Sequence, residues 1–109
     1  MDDIVVVLVT VGTVSEGESI ARTLVEEKLA ACVNLVPNLR SFFRWEGKFT
    51  EEAEALLLIK TRRALLPMLT ERVKRLHSYT VPEIVALPVL SGSEDYLRWV
   101  YEETTVPPA

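Results

Sequence analysis

The sequence predicts an α+β domain, a ferredoxin-like βαββαβ sandwich with a long β-hairpin and a C-terminal helix. Three observations carry this. Apolar, β-branched runs alternate with segments of helical periodicity in the order β-α-β-β-α-β. The two central strands are joined by the short turn Trp45-Glu46-Gly47-Lys48. The chain has 109 residues, which suits one domain spanning 1–109 and is too short for two.

Ile4 to Val11 is a continuous β-branched run and reads as a strand buried on both faces. Ser15-Glu16-Gly17-Glu18 has capping-box spacing, with Ser15 as the cap and Glu18 reaching back. Ile20, Ala21, Leu24, Val25 and Leu29 follow on one helical face, which places the helix end near Leu29. Cys32 to Phe43 is strand-like, and Pro37 within it points to an edge strand or a bulge. Gly47 supplies positive φ for the turn, and Phe49 to Thr61 returns as the partner strand. Leu65, Leu69, Val73 and Leu76 mark a second helix, with Pro67 tolerated near its start. Val81 to Leu90 is a further strand bracketed by Pro82 and Pro88. Ser93 caps a last helix carrying Tyr96, Leu97, Val100 and Tyr101, and the tail TTVPPA is expected to be frayed or extended.

Right-handed crossovers place both main helices on one face of the sheet. The opposite face should then be polar and the strands should alternate. They do not: Ile4–Val11, Leu56–Ile59 and Ile84–Leu90 are apolar on both faces. A lone chain would expose a large apolar sheet, so a second copy is expected to cover it in a closed homo-oligomer. The hairpin arms exceed the usual strand length and suit pairing with a neighbour's edge.

A net charge of −4 and the lack of any basic run argue against a nucleic-acid partner. No stretch has the ~18 apolar residues of a membrane span, and the N-terminal run carries acids where a signal peptide carries bases. One cysteine excludes an intrachain disulfide, which fits a reducing cytoplasm. Phosphate-binding glycine loops, CxxC, HExxH and GxSxG are all absent, so no local signature of catalysis is present.

The chemistry-bearing residues are few. Cys32 is the only cysteine and His77 the only histidine. If Ala31, Val33 and Leu35 face the helices, Cys32 and Asn34 face the opposite side, where a thiolate could bind a soft metal ion. A free cysteine also serves commonly as a small buried hydrophobe. His77 at the end of the second helix suits either the helix C-terminus or a ligand role. One Cys and one His do not fill a tetrahedral site, so Glu54, Glu83, a methionine, water or donors from other copies would be required. A carboxylate opening an apolar strand, as Glu83 does, must be solvated or paired.

LVEEKLAACVNLVP, FRWEGK, LIKT, VPEI and YLRWV, in this order and spacing, closely resemble the CutA family of divalent-cation tolerance proteins. The likeness spans roughly Val9 to Thr104. It implies the ferredoxin-like fold, a PII-like homotrimer in which long hairpins extend each sheet into its neighbour, and no established catalytic reaction. It also implies copper or another divalent metal ion as ligand. Carried over residue by residue, it assigns Cys32, His77 and Glu83 to metal. Asn34, Trp45, Glu54, Lys60, Tyr79, Tyr96 and Trp99 fall in a cleft between subunits. Such a cleft could alternatively hold a small organic effector or meet a protein partner, as in the structurally similar PII signal proteins. The family block HPYEVPE is HSYTVPE here, so Ser78 replaces a proline and Thr80 a carboxylate.

Overall fold

A computed structural model describes residues 3–104. Its elements are β1 (Ile4–Val11), α1 (Val14–Glu26), β2 (Cys32–Trp45), β3 (Lys48–Arg62), α2 (Leu66–Leu76), β4 (Ile84–Pro88) and α3 (Glu94–Glu103), with a 3-10 turn at Arg63–Leu65 before α2. The four strands form one antiparallel sheet in the order β2-β3-β1-β4. This is the predicted α+β arrangement. The TTVPPA tail beyond Thr104 lies outside the described residues.

The sheet buries the centre of one face under the helices. Val5, Val7, Val9 and Val11 of β1 alternate inward with Ala55, Leu57 and Ile59 of β3. Ile20 and Leu24 of α1 and Leu69 and Val73 of α2 pack on them. Gly17 lets α1 approach: a Cβ there would sit 2.9 Å from Leu35 Cδ1 and 3.1 Å from Val11 Cγ2. The other face is apolar too. Rows run across it in register: Cys32, Lys60, Val6, Leu87; then Asn34, Leu58, Leu8, Val85; then Val36, Leu56, Thr10. Val85 and Leu87 are each 47% exposed and Val36 is 41% exposed. Helix α3 covers only one end of this face, where Val100 and Leu97 meet Ile4, Ala31 and Val89. Arg62 fastens the end of α3, donating to the Thr104 carbonyl at 2.8 Å and lying over the Tyr101 ring.

Several boundaries differ from the sequence reading, for local reasons. The N-cap of α1 is Thr13, whose Oγ1 accepts from the Glu16 amide at 3.1 Å, rather than Ser15. This earlier start turns Gly17 inward to the sheet, and Glu18 pairs with Arg22 instead of reaching back. Val25, expected on the apolar face, is exposed. The helix stops at Glu26 because Lys28 adopts φ +60°. The amides of Lys28 and Leu29 return to the carbonyls of Val25 and Leu24, a Schellman ending with lysine where glycine is usual. Replacing Lys28 by glycine removes the left-handed strain and is expected to stabilise the protein by about 0.5–1 kcal/mol in a urea melt at fixed protein concentration.

The hairpin turn places both Glu46 (φ +51°) and Gly47 (φ +80°) in the left-handed region, the geometry of a type I′ turn. Pro37 sits in a bulge: Pro37 and Asn38 stand opposite Ala55 alone, with Asn38 at φ +63°. β4 is shorter than Val81–Leu90, because β1 offers it partners only from Val5 to Val9. Ser93 is the N-cap of α3, but its hydroxyl makes no capping bond. Beyond the Val11–Ala55 pair, β3 from Glu54 out to Lys48 pairs with β2 alone. This overhang, together with the loop after α2, frames one of two polar clusters.

Candidate functional site: two clusters at opposite ends of the open face

The first cluster surrounds Cys32. The thiol stands 3.9 Å from Asn34 Oδ1, and Lys60 Nζ donates to the same oxygen. Tyr96 on α3 lies beside it; its phenol is pushed above the usual range by burial first, then by Cys32. The Tyr96 and Trp99 rings contact at 5.6 Å. The cross-strand pair Cys32–Lys60 sets this geometry. Five of the residues assigned from sequence therefore meet: Cys32, Asn34, Lys60, Tyr96 and Trp99. The side of the sheet expected for Cys32 and Asn34 is the side they occupy.

The second cluster lies where β1 ends and the loop His77–Val81 crosses beside the β3 overhang. His77 is buried and fully engaged. Its Nδ1 accepts from the Tyr79 amide at 3.0 Å, so the ring proton is on Nε2, which donates to the Thr10 carbonyl at 2.7 Å. A metal ion at Nδ1 would have to displace the Tyr79 amide. Tyr79 donates its hydroxyl to Glu54 Oε2 at 2.7 Å, and its ring tilts against His77 at 4.7 Å. Glu16 accepts from both the Ser78 amide, at 2.8 Å, and the Ser78 hydroxyl, at 3.0 Å. A proline at position 78 could donate neither bond, so the departure from the family block is answered by a carboxylate from α1.

The Tyr79 phenol is held well above its usual range. Burial is the first cause, the hydrogen bond to Glu54 the second, and the charges of Glu54, Glu52 and Glu16 follow. Raising a folded-state pKa keeps the associated stability below the unfolded value near 10 and loses it as pH rises beyond that. In an absorbance titration at 295 nm, Glu54→Gln is expected to bring Tyr79 only part of the way down, since burial remains.

Next to this network is a cleft of about 450 Å³, lined by Phe43, Trp45, Thr50 and Glu52 from one face of the hairpin and by the Ser78–Val81 loop. Trp45 and Tyr79 were assigned to a cleft from sequence. Glu16, Glu52 and Thr80 were not. Of these, Glu16 was accessible through the Thr13-x-x-Glu16 spacing at the start of α1.

The two clusters do not meet within a chain. Glu54 and Lys60 are six residues apart on one strand, about 20 Å at ~3.3 Å per residue. Cys32 and His77 are correspondingly separate. Glu83, exposed just before β4, takes part in neither cluster's hydrogen bonds among the described residues. Among the described residues, no three His, Cys, Asp or Glu side chains come together as a metal-ligand group. No helix there is long and apolar enough to cross a membrane.

Fold and site together define a ferredoxin-like α+β protein whose polar groups gather at the two ends of an uncovered sheet face. Residues 5–103 match the family model of the CutA1 divalent ion tolerance protein. The chain belongs to that family. It is 56% identical over 99 residues to the divalent-cation tolerance protein CutA of Thermus thermophilus, covering 91% of this chain and 96% of that one. It is 50% identical to the chloroplastic protein CutA of Arabidopsis thaliana over 92% of this chain, spanning 55% of that longer protein. The solved structure of the Thermus thermophilus Cut A1 protein superposes with a TM-score of 0.92 at 54% identity, covering 94% of this chain and 99% of that one. The family is named for ion tolerance and not for a reaction.

Proposed function

We propose that this protein serves divalent-ion tolerance without catalysing a reaction, as a cytoplasmic homotrimer that binds copper or a related ion at clefts between copies. The observation that carries this is the placement of the half-buried Cys32 on the apolar open face, at the margin of the part that α3 covers. Covering that face with another copy puts the thiol, a soft ligand suited to Cu(I), into an interface. One chain gathers too few donors around Cys32, and head-to-tail packing around a closed ring brings unlike ends of the face together. The Cys32 end of one copy would then approach the end that carries His77 and Glu83 in the next. The cytoplasmic placement rests on the single free cysteine.

The test is an anaerobic Cu(I) titration against a competing chelator, with wild type and Cys32→Ala in parallel. Binding at a fixed ratio per chain, weakened at least tenfold in the variant, is the expected result. Unchanged affinity and stoichiometry would remove Cys32 from the site.

A second reading is favoured by the cleft beside Trp45 and Tyr79: a PII-like binding module for a small organic effector. Its volume is in the range of small-molecule sites. A metabolite that raises the melting temperature more than any metal ion would favour it.

A further inference from the structure

The cleft beside the hairpin has walls of one chemical character. Phe43, Trp45 and Tyr79 supply three aromatic surfaces, all partly exposed. Glu52 is the only charged residue in the lining. Thr50, Ser78 and Thr80 add hydroxyls. On this face of the hairpin Glu52 and Glu54 stand at the inner end of the cleft, and Lys48, opposite Trp45, stands at its outer end. Burial first, then the hydrogen bond to Glu54 and the charges of Glu54, Glu52 and Glu16, hold the Tyr79 phenol above its usual range. Among the described residues, no lysine or arginine pairs with any of the three. Arg40 lies on the other face of the hairpin, paired with Glu51.

We propose that this cleft binds a small organic cation, an alkylammonium, lying on Trp45, Phe43 and Tyr79 with its charge toward Glu52. The proposal deepens the second reading above and rests on it. Aromatic faces attract a cation within about 6 Å of the ring, by about 0.5–2 kcal/mol depending on desolvation. Methylene groups on the same ligand gain from the apolar lining. A small divalent ion such as Mg²⁺ is served poorly here. It needs oxygen ligands at about 2.0–2.1 Å and keeps its water, whereas much of this lining is aromatic carbon. An anion at the inner end of the cleft would meet the Glu52 carboxylate.

The experiment is calorimetry on the full chain with four probes: 1,4-diaminobutane, its neutral analogue 1,4-butanediol, the dianion succinate, and Mg²⁺. Saturable diamine binding at one per chain is expected, with at least tenfold weaker binding for Glu52→Gln and for Trp45→Leu. Thr80→Lys, a change on an exposed residue, places an ammonium at the cleft wall and is expected to abolish diamine binding while the melting temperature is kept. Cys32→Ala should leave it unchanged. Succinate or butanediol binding in place of diamine would overturn the cation assignment and leave the effector reading standing. Mg²⁺ binding as tightly as the diamine would show charge alone at work and overturn the role of the aromatic walls. No binding by any probe would overturn both the assignment and the reading, as when a neighbouring copy fills the cleft.

Discussion

A Val85→Glu variant is expected to sediment as a monomer at micromolar concentration, where the parent is expected to sediment as the proposed homotrimer. Val85 is 47% exposed in the single chain, so a carboxylate there remains hydrated and the fold of one copy is little affected. Val85 stands in the row Asn34, Leu58, Leu8, Val85, at the middle of the open face. If a second copy covers that row, each copy buries an unpaired charge. That costs at least several kcal/mol, because an ionised carboxylate without a partner loses its hydration. About 4 kcal/mol corresponds to roughly a thousandfold in association. Sedimentation equilibrium decides it: a variant that assembles as tightly as the parent would show that this row does not lie in the interface.

The same sheet gives a contrasting result from its other face. Leu57→Ala is expected to destabilise the protein by about 3–5 kcal/mol in a denaturant melt, the largest effect of any single truncation considered. Leu57 is fully buried between its register partners Val9 and Leu35, under the packed helices. Truncation loses transfer free energy and leaves a cavity that close-packed neighbours fill only in part. In contrast to Val85→Glu, the folded fraction of Leu57→Ala should keep the parent's stoichiometry. The two variants thus separate what holds one copy together from what holds copies to each other.

Most of this architecture was legible because hydrophobic period reports burial directly. The unbroken run Ile4–Val11 announced a strand apolar on both faces, and Gly47 announced the turn. Helix starts were less legible. Thr13 and Ser15 both have a glutamate three residues on, and only the packing of Gly17 against Leu35 and Val11 selects Thr13. The end of α1 was hidden because a lysine does what glycine usually does. Of the site, Cys32 and Asn34 followed from strand alternation, whereas Lys60, Tyr96 and Trp99 followed only from the family resemblance. The partners of His77 followed from neither. Thr10 offers a backbone carbonyl, and Glu16 lies 62 residues from Ser78, so no local pattern connects them.

The overhanging hairpin has a consequence for how the protein is made. Its two arms are contiguous in sequence and can zip from the Glu46-Gly47 turn within microseconds. The outer part, from Glu54 to Lys48, has neither β1 nor a helix behind it, and a two-stranded ribbon alone is marginal in water. The ribbon is therefore expected to form early, and in the proposed homotrimer to gain lasting protection once a neighbouring copy lies against it. Amide exchange should expose this order of events. Amides in the outer arms of the Val85→Glu monomer should exchange far faster than those of β1, and in the parent their protection should rise with protein concentration.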